Sequence, residues 1–280
     1  MYVVQLSRRE QRVSLTRCTV VRLERALTMP ESLADDEARI LLVEALRVLH
    51  RGGIDVARPY FALSGTTCFI KRRFVLPQAD GATREHLLWE AGQLLGADID
   101  DYGVDTLVTA RHGFFIAVRR QILDLYGVLC HQAGLGKPGF DMASFALCNA
   151  LENSGTGGVG VEVVLQDDGY SGRAVLLRDG IYEGEHSWSL EESGVTDGIA
   201  RLLRAELDEN EAVPRVWLAG PGDTVNGGAG FDGIDHVVEI DPFAGLLVAD
   251  SVRRTLETAR VPLRAYTVAL GLAVRGLADA

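Results

Sequence analysis

The sequence predicts an α/β protein of two lobes, the first carrying a small inserted α+β unit. Three observations carry that expectation. Short β-rich runs alternate with amphipathic helical tracts along nearly the whole chain. The glycine-rich join "NSGTGGVG" (153–160) separates two halves, and each half opens on strands and proceeds to a helix. Residues 66–133 hold strands and helices of their own, which reads as an α+β insertion. The expected organisation is a first lobe at 1–152, interrupted at about 66–133, and a second lobe at 153–280.

Each element has a local reason. Residues 2–24 read as short strands around the charged turn "RREQR", with Val13, Leu15, Val20 and Val21 suited to a half-buried sheet. "SLADDEARILLVEALRVLHRGG" carries helix signals: Ser32 as N-cap, Asp35, Asp36 and Glu37 in the first turns, and Gly52-Gly53 as the stop. Leu41, Leu42, Ala45, Leu46 and Leu49 make its apolar face. "PYFALSGTTCFIKRRFVLP" gives two strands hinged at Ser64-Gly65. "TREHLLWEAGQLLG" is an amphipathic helix, with Leu87, Leu88, Ala91, Leu94 and Leu95 expected inward. Two strands follow, then a helix that stops at Gly134, then the helix "DMASFALCNALE".

After the join, strands are expected at 159–166, 173–177 and 181–186, followed by the helix "GVTDGIARLLRAELDE". The strand "RVWLAG", the strand "HVVEI", a helical tract at 244–258 and the apolar helix "LRAYTVALGLAVRGL" complete the chain.

Composition narrows the function. The chain has 280 residues, 47% of them hydrophobic, enough to bury real cores. A net charge of −11 argues against nonspecific binding to nucleic acid or anionic lipid. Lys71-Arg72-Arg73 and Arg119-Arg120 are local basic runs of the kind that sit on solvated edges. Cys18, Cys68, Cys130 and Cys148 are scattered without metal-ligand spacing, as reduced thiols of a cytoplasmic protein would be. No run reaches the roughly 18 apolar residues of a membrane helix, and Arg8, Arg9, Glu10 and Arg12 break any signal-peptide core. Work at a membrane would require a partner.

Two stretches could grip a ligand. "LQDDGYSGRAVLLRDG" is a hairpin whose turn holds Asp167, Asp168, Gly169, Tyr170, Ser171 and Gly172. Such a turn can point N–H groups and a hydroxyl at phosphate oxygens, with an Asp holding hydrated Mg²⁺. The same residues are also ordinary hairpin turn chemistry, and both readings stay open on the residues alone. "RVWLAGPGD" ends a buried strand in Gly220-Pro221-Gly222, where a ligand can approach the backbone. "GGAGFDG" (227–233) lacks the lysine of a phosphate loop and reads as surface. In "EGEH", strand alternation sets Glu183 and Glu185 against His186, which disfavours a metal site. No nucleophile elbow surrounds any serine.

Taken in order, the marks resemble the PilM family of type IV pilus assembly proteins, relatives of FtsA in the actin-like ATPase superfamily. "VVQLSRREQRVSLTRC" is similar to the family's second and third strands, and "FALSGTTCFIKRRFVLP" to the strand pair entering its 1C subdomain. "LLWEAGQLLGADIDDYGVDTLV" and "LYGVLCHQAGLGKPGFDMASFALCNAL" resemble the helices and acidic strand that follow. "IDPFAGL" with "YTVALGLAVRGL" matches the closing pattern, so the resemblance spans nearly the whole chain.

The resemblance implies a two-lobed actin-like fold of the ribonuclease H-like type, with an inserted 1C (SHS2-like) subdomain and a nucleotide cleft. It makes Asp167, Gly169, Ser171 and Gly172 the second phosphate loop, with Asp167 holding Mg²⁺ through water, and Gly220 and Gly222 the adenosine-side glycines. It implies ATP and Mg as cofactors and hydrolysis that is slow or vestigial. The implied role is a cytoplasmic scaffold that docks the cytoplasmic N-terminus of PilN, and so reaches the inner-membrane complex of the pilus machine. A slow ATPase and an actin-like adaptor of a type II secretion system are the alternatives. The family pattern opens with a strand ending in Asp-x-Gly-x-x-Ser ahead of the "VVQLS" segment. Here only Met1 and Tyr2 precede it, so one phosphate hairpin and an unpaired sheet edge are expected. Ala219-Gly220-Pro221-Gly222 stands where the family has a Gly-Gly pair, and the stretch between His186 and Arg215 is short.

Overall fold

The computed structural model describes residues 1–10, 12–23, 35–54, 57–63, 68–74, 80–169, 171–189, 215–222 and 237–279. Ser32, the Ser64-Gly65 hinge, the helix expected at 194–209 and the 227–233 loop lie outside the described residues. In chain order the elements are β1 (Tyr2–Arg9), β2 (Arg12–Val20), α1 (Asp36–Arg51), β3 (Tyr60–Leu63), β4 (Cys68–Phe74) and α2 (Asp80–Leu95). A 3₁₀ turn (Gly96–Asp101) leads to β5 (Tyr102–Val108), β6 (His112–Arg119), α3 (Arg120–Ala133), β7 (Gly139–Met142) and α4 (Ala143–Ser154). Then come β8 (Val161–Asp167), β9 (Ser171–Arg178), β10 (Ile181–Ser189), β11 (Arg215–Ala219), β12 (Val237–Glu239) and β13 (Leu247–Val248). The chain closes with α5 (Asp250–Ala259), a second 3₁₀ turn (Leu263–Tyr266) and α6 (Thr267–Ala278).

By internal contacts the chain forms two compact units, residues 1–22, 60–62 and 140–280 in one, and 23–59 with 63–139 in the other. The first unit holds a five-stranded sheet of order β10-β9-β8-β11-β12. Its β8–β9–β10 portion is antiparallel, while β11 runs parallel to β8 and β12 parallel to β11. A second sheet has the order β1-β2-β13, and β3 pairs with β7. Among the described residues β1 lies at the edge of this sheet.

One core of this unit gathers Leu15, Cys18, Ala150, Phe243, Val252, Tyr266 and Leu270, with Tyr2, Val4 and Leu6 of β1 packed on it. Tyr2 meets the Tyr266 ring edge-on at 5.3 Å. Helix α6 crosses α4 where a Cβ on Gly271 would stand 1.7 Å from the Ala146 carbonyl oxygen, so glycine sets the closeness of the two helices. The helix expected at 244–258 begins only at Asp250, because Leu247 and Val248 pair in parallel with Ser14 and Leu15 of β2.

In the other unit α2 packs on the β4-β6-β5 sheet through Leu87 and Ala91, against Phe115, Val104 and Val108. A Cβ on Gly113 would meet Leu87 Cδ1 at 2.9 Å. Leu88 and Leu94, expected inward, are exposed, since this narrow stripe is all of α2 that the sheet covers. Helix α1 is capped by Asp35, whose carboxylate accepts from the Glu37 amide at 2.9 Å. It packs against α3, and Arg47 Nη2 donates to the Gln132 carbonyl at 3.0 Å. Helix α3 ends at Gly134 in the left-handed region, as expected of a C-terminal glycine. The four cysteines form no disulfide.

Candidate ligand site at the ends of β8 and β11

The parallel pairing of β11 with β8 sets Ala219 opposite Gln166, which carries Gly220 alongside Asp167. Distant stretches of sequence thereby meet. The Gly222 amide donates to the Asp167 carbonyl at 3.0 Å, and the Gly169 amide donates to Asp167 Oδ1 at 2.8 Å. Asp167 is only 2% exposed. A Cβ on Gly220 would lie 2.1 Å from the Asp167 carbonyl oxygen, and one on Gly222 would lie 2.0 Å from Asp167 Cγ. Gly169 and Gly220 also hold φ of +89° and +87°, which a larger residue resists. Asp167, Gly169, Gly220 and Gly222 therefore form one tight cluster.

Ser171 and Gly172 have other neighbours. The Ser171 amide and hydroxyl donate to the Asp168 carboxylate at 2.6 and 2.7 Å, while the Asp168 amide returns a bond to the Ser171 carbonyl at 3.1 Å. The tip of the hairpin is thus internally satisfied, as an Asx turn is. Gly172 pairs with Trp188 across β9 and β10, and a Cβ there would fall 2.3 Å from the indole ring. Its lack of a side chain is accounted for by that ring.

Arg264 is the residue that sequence reading passed over. Its buried guanidinium donates from Nη1 to the Gly220 carbonyl at 2.9 Å and pairs through Nε with Glu239 at 3.2 Å. The Gly220 amide in turn donates to the Arg264 carbonyl at 2.9 Å. The loop after β11 is held by β8 on one side and by the C-terminal tract on the other. The available signal was an arginine in the otherwise apolar run "VPLRAYTVALGLAV". Behind the loop, Trp217 Nε1 donates to Glu162 Oε1 at 2.9 Å, and the Gly158 amide donates to Glu162 Oε2 at 3.0 Å.

A Mg²⁺ ion can be tested against these donors. Among the described residues no three His, Cys, Asp or Glu side chains cluster as a metal cage. Asp167 offers one buried carboxylate with an oxygen already accepting, so phosphate oxygens and water would have to supply the remaining ligands. Glu183 is set against Arg178 at 3.7 Å rather than toward a metal with His186. Thiolate chemistry is disfavoured too: burial pushes the Cys130 thiol up to about 11, and burial with Glu185 and Asp141 nearby pushes Cys148 up further.

The fold has a clear counterpart among solved structures. PilM in the PilM-PilN type IV pilus biogenesis complex superposes with a TM-score of 0.76 at 17% identity, covering 99% of this chain and 95% of that one. The chain has the fold of PilM. Two further solved structures are similar at lower scores. A Bacteroides thetaiotaomicron protein with an actin-like ATPase fold gives a TM-score of 0.47 at 10% identity, covering 92% of this chain and 95% of that one. The cytoplasmic domain of EpsL, an inner-membrane component of the Vibrio cholerae type II secretion system, gives 0.45 at 11%, covering 78% and 79%. No protein-family model matches the sequence, and no curated protein does.

Proposed function

We propose that this chain is a PilM-like scaffold of type IV pilus assembly that docks the cytoplasmic N-terminal peptide of a PilN protein. The observation that carries the reading is the superposition on PilM of the PilM-PilN complex over nearly the full length of both chains. On this reading residues 1–152 and 153–280 are the two actin-like lobes and the segment at about 66–133 is the 1C-type insertion. The protein works in the cytoplasm, reaching the inner-membrane complex through its partner. No described helix is by itself long and apolar enough to cross a membrane.

A groove between α1 and α3 supports the docking role. It encloses about 450 Å³ and is lined by Ile40, Val43, Leu125, Val128 and Leu129. Ile40 is 64% exposed and Val128 51%, large apolar side chains that nothing in the chain covers among the described residues. The charged rim pairs Arg39 with Asp36 and Arg47 with Glu44, so the groove offers apolar contact inside a neutralised border.

Nucleotide belongs to the same proposal. Asp167, Gly169, Ser171 and Gly172 form the phosphate hairpin and Gly220 and Gly222 the adenosine-side loop, with ATP and Mg²⁺ setting conformation and turnover at most slow. The test is calorimetric titration of the PilN N-terminal peptide from the same genome into this chain. Absence of heat at high micromolar peptide would sink the docking role.

A further inference from the structure

The β1–β2 hairpin is basic on an acidic chain. Residues 1–22 hold Arg8, Arg9, Arg12, Arg17 and Arg22 against Glu10 alone, while the whole chain carries −11. All five arginines are exposed. Arg8, Arg9 and Arg12 stand at the tip, and among the described residues none of these three pairs with a carboxylate.

The register sets the charges against each other. Arg9 faces Arg12 directly across the last rung of the hairpin, where opposed Cα atoms lie about 4.5–5.5 Å apart. Like charges so placed are destabilising. Leu6 and Leu15 form the rung that packs on the core, and strand alternation puts Arg9 and Arg12 on the outer side with Ser7 and Ser14. Arg17, opposite Gln5, adds charge to that same outer side. A repelling rung that the chain leaves uncompensated is a local conflict of the kind that function accounts for. A projecting turn has no walls to enclose a small ligand, so a broad plane of negative charge suits it better.

We propose that the β1–β2 tip, through Arg8, Arg9 and Arg12, contacts the anionic headgroups of a membrane surface. The proposal rests on the scaffold reading for what brings the chain to that surface. At physiological salt, charges farther away than about 8 Å are largely screened, so the tip acts locally in spite of the net −11. Each arginine near anionic lipid is worth only about fivefold in affinity. Three of them orient and retain a chain that its partner already holds, rather than recruit it alone.

The experiment replaces the partner by a tether, so its outcome is separate from that of the PilN peptide titration. The full chain with a C-terminal hexahistidine tag is bound to vesicles carrying a trace of nickel-chelating lipid, either in phosphatidylcholine or in equal parts phosphatidylcholine and phosphatidylglycerol. The parent is expected to bind the phosphatidylglycerol vesicles more tightly. Arg9→Gln with Arg12→Gln should lower that affinity about twentyfold and leave binding to phosphatidylcholine unchanged, while Arg9→Lys with Arg12→Lys keeps most of it. The Gln pair relieves the repelling rung and should melt no lower than the parent, which separates its loss of binding from unfolding. Arg51→Gln with Arg84→Gln removes the same charge from exposed positions of the other unit and should change affinity little. Equal binding of the parent to both vesicles, or an equal loss in the Arg51 and Arg84 pair, overturns the contact. So does binding of the tip to a DNA duplex with no preference for phosphatidylglycerol.

Discussion

The Gly222 backbone rests directly on the Asp167 carboxylate, so close that a methyl group at Gly222 would stand 2.0 Å from Asp167 Cγ. The same glycine donates its amide to the Asp167 carbonyl at 3.0 Å. The fit leaves no room between the ends of β8 and β11. Gly222→Ala must therefore push the loop away from Asp167, at a cost of about 1–3 kcal/mol for overpacking. Thermal or urea unfolding should show the loss, and ATP should no longer raise the melting temperature if this loop holds nucleotide. An Ala variant as stable as the parent would mean the loop yields freely.

Gly271 plays the corresponding part between helices. With Ala146 O only 1.7 Å from the position of an added Cβ, Gly271→Ala has to separate α4 from α6. That separation loosens the core built on Ala150, Tyr266 and Leu270. The expected loss is again about 1–3 kcal/mol. Ala269→Gly, on the opposite side of the same helix, should cost only about 1 kcal/mol through helix propensity. Comparable losses for the two would remove the packing explanation.

Much of this was legible in the sequence, because strand alternation, helix spacing and glycine stops are local signals. The hairpin at Asp167–Gly172 and the stop at Gly134 are of that kind. What escaped depends on partners far along the chain. The Trp188 ring that fills the space a side chain at Gly172 would need comes from the neighbouring strand. Arg264 could be noticed only as an oddity, since its partners Gly220 and Glu239 come from separate strands. Leu88 and Leu94 misled because helical spacing records apolarity and not which side a sheet will cover.

Acid should act on Asp141. Burial lifts its pKa above the usual carboxylate value, against the opposing pull of the Met142 amide, Arg275 and Asn149. A carboxyl with a raised folded pKa binds its proton more tightly folded than unfolded. Below the unfolded value of about 3.9 both states are protonated and the group is neutral in the balance. As pH rises from there through the folded pKa, ionisation becomes harder in the fold and stability is lost. Asp141→Asn should therefore melt higher than the parent at neutral pH, with the advantage shrinking as pH falls toward the unfolded value. Melting curves across that range decide it, and a difference that grows on acidification would contradict the sign.

The groove between α1 and α3 makes the docking claim separable from stability. Ile40 and Val128 are exposed, so Ile40→Glu and Val128→Glu should change folding stability by no more than about 0.5 kcal/mol. A bound apolar peptide would bury those carboxylates without partners, and its affinity should fall at least about tenfold, or 1.4 kcal/mol. Val48 lies on the same helix, equally apolar and exposed, but does not line the groove. Val48→Glu should therefore leave peptide affinity as it was. Because the rim charges already pair within α1, affinity should also depend little on salt between low and physiological strength. A Val48 variant that binds as poorly as the Val128 variant, or binding that collapses with salt, would move the peptide to another surface.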